Sequence, residues 1–145
     1  MRRAFIILTL IIFSTGLEAN EMNWKTLQLN IHDIDNTRGG QMSVYVFLKE
    51  GFPVKHQKSL QQYHFDVEQT SHTLNIQVPD QNFALKAHHD EDRSGSVTKN
   101  WTGIFPIEGF AFSSGAKIRF GPPSFSKAKM QYPDSGKADV HMIYP

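Results

Sequence analysis

Apolar and polar residues alternate along most of this chain, in short runs. Leu27, Leu29 and Ile31 are interleaved with Gln28, Asn30 and His32. A period of two matches a strand with one buried face. Met42, Val44, Val46 and Leu48 repeat the pattern against Ser43, Tyr45 and Phe47, and this β-branched and aromatic content predicts a strand covered on both faces. Tyr63, Phe65 and Val67 predict a short strand. His72, Leu74, Ile76 and Val78 predict the next, and Phe83, Leu85 and Ala87 another. Ala128, Met130 and Tyr132, then Ala138, Val140, Met142 and Tyr144, complete the set.

Turn-forming clusters at 33–40, 79–82 and 134–136 separate these runs. Residues 49–62 show no clear period and are expected as a loop with one helical turn. Residues 101–123 carry Gly103, Gly109, Gly115, Gly121 and three prolines, too much punctuation for a long helix. The segment also carries Trp101, Phe105, Phe110, Phe112 and Phe120, and is expected to fold back over one end of the core. About seven short strands without an amphipathic helix or a repeat predict an all-β fold, a single-domain β-sandwich in preference to a barrel.

The first twenty residues break the pattern. Arg2 and Arg3 precede an apolar run from Ala4 to Phe13, and Leu17-Glu18-Ala19 ends on a small residue. This is the layout of a secretory signal peptide over residues 1–19, leaving a β-sandwich domain over 20–145. The apolar run is shorter than the ~20 residues that span a bilayer. The expected localisation is therefore exported, periplasmic or secreted, with no integral membrane segment after the leader is removed. Without the leader, Lys+Arg falls from 15 to 13 and Asp+Glu from 14 to 13, so the remaining chain is formally neutral. A neutral chain without a basic block offers no electrostatic footprint for nucleic acid or for anionic lipid. Cysteine is absent, which excludes disulfides, thiolate zinc sites and thiol nucleophiles.

The densest polar cluster, His88 to Val97, follows the strand ending at Ala87. Asp90, Asp92, Ser94 and Ser96 fall at alternate positions with Gly95 among them. A chain curling around Ca²⁺ offers oxygens in this way, with glycine at the sixth position allowing the sharp bend. Asp90 and Asp92 would supply carboxylates, Ser94 its hydroxyl or carbonyl, and Ser96 its carbonyl. The twelfth position is Trp101, where the common calcium loop has a bidentate glutamate, so the closing ligand must come from elsewhere, with Glu108 or Asn100 as candidates. The alternative is a solvated acidic turn without an ion.

His88 and His89 are adjacent, so on a strand they point to opposite faces and do not share one ion. The remaining histidines are scattered, without a compact metal motif. Ser113-Ser114-Gly115 lacks the G-x-S-x-G elbow, and no phosphate-binding glycine loop is present. No catalytic motif is found, and the chain is expected not to be an enzyme. An acid–base set of His89 with the nearby carboxylates is the enzymatic alternative. An aromatic groove around Trp101 for a small molecule, or a metal-free envelope interaction surface for a protein, is the other.

Three segments together resemble a known exported bacterial family, domain of unknown function 2141. They are Ala87-His88-His89-Asp90-Glu91-Asp92-Arg93-Ser94-Gly95-Ser96, then the stretch Gly103 to Ser113, then Phe120-Gly121-Pro122-Pro123-Ser124-Phe125. The family shows an HDxNxNG-like loop, a segment like G-[IVF]-P-x-E-G-[YF]-G-F-S, and F-G-P-P-x-F. Ser94 here replaces the usual Asn or Asp, Lys99 stands near a frequent Asp, Phe105 is inserted before Pro106, and Ala111 replaces Gly. The resemblance implies an exported β-sandwich similar to transthyretin-like or Cna-B-like domains, and implies no activity. In such a fold Gly109 and Gly121 are expected to permit turns, Pro122-Pro123 to stiffen entry into the next strand, and Phe110, Phe112, Phe120 and Phe125 to cap the sandwich.

Overall fold

The alternating runs pair into two sheets. In the computed structural model, which describes residues 21–145, the strands are β1 (Trp24–His32), β2 (Gln41–Phe47), β3 (Gln61–Asp66), β4 (His72–Pro79), β5 (Ala84–Asp90), β6 (Gly109–Phe112) and β7 (Lys137–His141). One sheet has the order β4-β1-β7, the other β3-β2-β5-β6. All pairings are antiparallel except β1 with β7. The fold is an all-β sandwich, as the alternation predicts. The leader expected over residues 1–19 lies outside the described residues, and no described helix is long and apolar enough to cross a membrane.

The main core lies between the sheets. Leu27, Leu29 and Ile31 of β1 and Ile76 and Val78 of β4 meet Met42, Val44 and Val46 of β2 and Leu85 and Ala87 of β5. Each fully buried Leu, Ile or Val side chain contributes about 1.5–3 kcal/mol over its exposed state.

The outer face of the larger sheet is covered as well. Residues 49–58, 91–108 and 113–128 fold across it, and Ala84, Phe110, Phe112 and Ala128 form a second small cluster there with Phe52, Val97, Ile118 and Phe125 around them. Every residue of β5 is therefore buried. Lys86, His88 and Asp90, on the outward-facing register of β5, lie under this cover and not in water.

Two expectations about strands change. The segment 128–132 is not a strand. Phe125–Ala128 forms one helical turn, and Met130 makes a single bridge to Phe83. Its apolar residues serve two clusters, Ala128 the outer and Met130 and Tyr132 the main one, so they cannot share one pleated face. Pro122-Pro123 accordingly leads into a helical turn rather than a strand. The missing strand is β6, inside the segment expected to be irregular. Its four residues are all buried, so it shows no apolar–polar alternation.

Two expectations about individual residues also change. Gly109 makes no turn. It lies on β6, where the lack of a Cβ makes room for the Tyr144 ring, whose Cδ1 would be 2.6 Å from one. Phe120 does not cap the sandwich. It is fully exposed, whereas Phe110 and Phe112 are buried and Phe125 partly so.

Candidate metal centre at the β5–β6 corner

The corner is set by strand register. His89 pairs with Gly109 and His88 with Phe110, so the next step places Asp90 across from Glu108. Like charges directly opposite across a ladder are destabilising unless something compensates. Both residues are only 3% exposed. The chain then turns back through Asp92, whose side chain joins them. Carboxyl oxygens of Asp90, Asp92 and Glu108, one from each, lie within 4.8 Å of one another. Two oxygens on opposite sides of a Ca²⁺ ion, each at 2.3–2.6 Å, are separated by about this distance.

Hydrogen bonds hold each carboxyl in place. Asp90 accepts from the Ser94 N–H at 2.9 Å and the Gly95 N–H at 2.7 Å. Gly95 adopts φ +73°, a conformation other L-residues resist, so the expected bend is present and glycine is what permits it. Asp92 accepts from the Ser94 N–H and the Thr98 hydroxyl at 3.0 and 2.9 Å. Hydrogen bonds from Ser94 and then Thr98 lower its pKa to about 2.

Glu108 uses only one of its two oxygens in this network. Oε2 accepts from the Thr98 N–H and from His88 Nε2, each at 2.8 Å. Burial, above all, pushes the His88 pKa down, against the pull of Glu108, which favours a neutral ring donating Nε2–H. Glu108 Oε1 is buried without any hydrogen-bond partner, the one side-chain atom of that kind among the described residues. A buried acceptor left unmet costs about 1–3 kcal/mol.

The two arginines that flank the corner are already paired. Arg38 bonds Glu91 at 2.8 Å and Asp35 at 2.9 Å, and Arg93 bonds Asp66 at 2.9 Å. Among the described residues, no lysine or arginine pairs with Asp90, Asp92 or Glu108.

Of the residues singled out in the sequence, the structure brings Asp90, Asp92 and Glu108 together. Ser94 and Ser96 are exposed, and the Ser94 hydroxyl donates to the Ser96 carbonyl at 3.0 Å. Asn100 accepts from Thr102 and Phe105 within its own loop and is not in this network. Sequence reasoning missed Thr98, which links Asp92 to Glu108, and the role of His88 in orienting Glu108. No motif marks Thr98, and the His88 contact depends on recognising β6.

His89 faces the other way. Its Nε2 meets the Gly39 carbonyl, which can only accept, so Nε2 carries the proton. Nδ1 then accepts the hydroxyl proton of Tyr144 at 2.8 Å. Both nitrogens are engaged inside the fold, neither with a carboxyl group.

No curated protein and no solved structure matches the chain significantly. A family model does match, over residues 29–141, a span that contains the whole corner, and its description is that of an uncharacterized protein conserved in bacteria. On that match the chain belongs to the bacterial family of domain of unknown function 2141.

Proposed function

We propose that the protein is an exported, non-enzymatic binding or accessory module of the bacterial envelope, whose β5–β6 corner is organised by a structural Ca²⁺ ion. The observation that carries the metal reading is that Glu108, whose carboxyl clusters with those of Asp90 and Asp92, keeps a buried oxygen, Oε1, without a hydrogen-bond partner. A hard divalent cation would meet that oxygen and offset three carboxyls in one step. Water would add further oxygens toward the six to eight that Ca²⁺ prefers. With this ligand set the ion would join the end of β5 to the start of β6, a structural task. The export reading rests on the N-terminal pattern of residues 1–19.

Thermal unfolding in calcium and in chelator tests the metal reading. Ca²⁺ at a hundred times its Kd stabilises by about 2.7 kcal/mol, which for ~125 residues raises Tm by about 10 °C. Glu108→Gln is the companion variant. Its amide oxygen can keep the Thr98 and His88 donors while its NH₂ faces the aspartates. The variant should match the wild type in chelator and lose most of the calcium response. Equal melting of the wild type in calcium and chelator overturns the metal reading.

A further inference from the structure

A second polar feature lies further along the outer face of β5. Lys86 is 4% exposed. Its ammonium donates to the Pro53 carbonyl at 3.1 Å and to His56 Nε2 at 2.6 Å. It also lies over the rings of Tyr45 and Phe110, 5.7 and 5.3 Å from their centroids. An ammonium has three donors, and these contacts use two. Lys86 and Pro53 both line a cavity of about 240 Å³ between the sheet and the loops that cover it.

The walls of this cavity are apolar, from Phe110, Phe112 and Ile118 in its depth to Ile104 and Phe120 at its rim. The charged residues that line it are Lys86, Lys99 and Arg119, with no carboxyl among them. This concentration of one sign stands out in a chain with Lys+Arg 15 and Asp+Glu 14. The carboxyl that acts on Lys86 is Glu108, which does not line this cavity. Ile104 and Phe120 are 67% and 107% exposed, an arrangement that leaves apolar surface in water at the mouth.

We propose that this cavity binds a single amphiphilic anion, a medium- or long-chain carboxylate, with its head on Lys86 and its alkyl chain along the phenylalanine walls toward Ile104 and Phe120. The buried ammonium supplies the third hydrogen bond and the charge. The walls supply the apolar contact typical of ligand pockets. A bilayer surface is the competing occupant, since Trp101, Ile104, Phe105 and Phe120 are all exposed. Lys86 decides between the two. Its amine lies beneath the loops, where a detached molecule reaches and a flat headgroup layer does not.

The test is calorimetric titration of the full chain with sodium decanoate, decan-1-ol and decyltrimethylammonium, below their aggregation concentrations, with flotation on phosphatidylglycerol vesicles run alongside. Decanoate should saturate at about one molecule per chain and bind at least about tenfold tighter than the cationic analogue, a ratio worth ~1.4 kcal/mol. Lys86→Met should weaken decanoate at least about tenfold and leave decanol unchanged, since only the charged head loses its partner. Ile104→Asp, at the exposed rim where folding is not at stake, should weaken decanoate more than decanol. Equal affinity for the anion and the cation, no saturable binding of decanoate, or decanoate affinity untouched by both substitutions overturns the proposal. So does vesicle flotation without decanoate binding, which would assign the face to a membrane.

Discussion

Replacing Lys86 with methionine keeps the aliphatic stem and removes the buried ammonium, and the effect on stability should reverse sign with pH. Burial lowers the Lys86 pKa from 10.5 to about 8, with the charge of Glu108 working the other way. A folded-state pKa below the unfolded value means that the unfolded chain binds the proton more tightly. The charged amine therefore opposes folding below about pH 8, and the opposition fades as pH rises toward 10.5. The gap amounts to about 3 kcal/mol at pH 7 and, from the same linkage, under about 1 kcal/mol at pH 10. Against this, methionine gives up the hydrogen bonds to Pro53 and His56, worth about 1 kcal/mol each. The variant should be about 1 kcal/mol more stable than the wild type at pH 7 and about 1 kcal/mol less stable at pH 10. Urea unfolding of both proteins at the two pH values measures this directly. Tyr45 and Tyr144, whose pKa values burial raises, also titrate at alkaline pH, but they are common to both proteins and cancel in the difference. A wild-type-minus-variant difference that is the same at pH 7 and pH 10 would show that Lys86 carries no burial penalty.

Other substitutions probe the remaining joints. Gly109→Ala drives a methyl into the Tyr144 ring and should cost about 1–3 kcal/mol, read by urea unfolding, as the His89–Tyr144 contact is displaced. Gly40 combines φ +77° with a virtual Cβ 2.6 Å from the Glu91 Cα, so Gly40→Ala should cost at least about 1 kcal/mol and, by shifting the loop after Asp90, shrink the calcium-induced rise in Tm. Leu29→Ala, at a position with no solvent exposure, should cost about 2–5 kcal/mol at every pH and leave decanoate binding intact.

Strands with one wet face were legible in the sequence. β1 and β4 alternate, and their inward residues are the core. β5 was legible as a strand but not in its surroundings. Lys86, His88 and Asp90 read as a polar, solvent-facing register, and only the loops folded over them bury that face. β6 carried no period because both faces are covered. Without it the position of Glu108 across from Asp90 could not be read from the chain, although the glutamate itself was a candidate for the closing ligand. Periodicity reports the solvent boundary, and here that boundary depends on segments with no period of their own.

The one parallel pairing has a cost in time. β1 sits between β4 and β7, and across the β7 side partners such as Asn30 and Asp139 are 109 residues apart in sequence. Until residues 137–141 arrive, one flank of β1 presents open amide and carbonyl groups to any passing strand. Closing so long a loop comes late in assembly, and chains interrupted before that point should be the ones that self-associate.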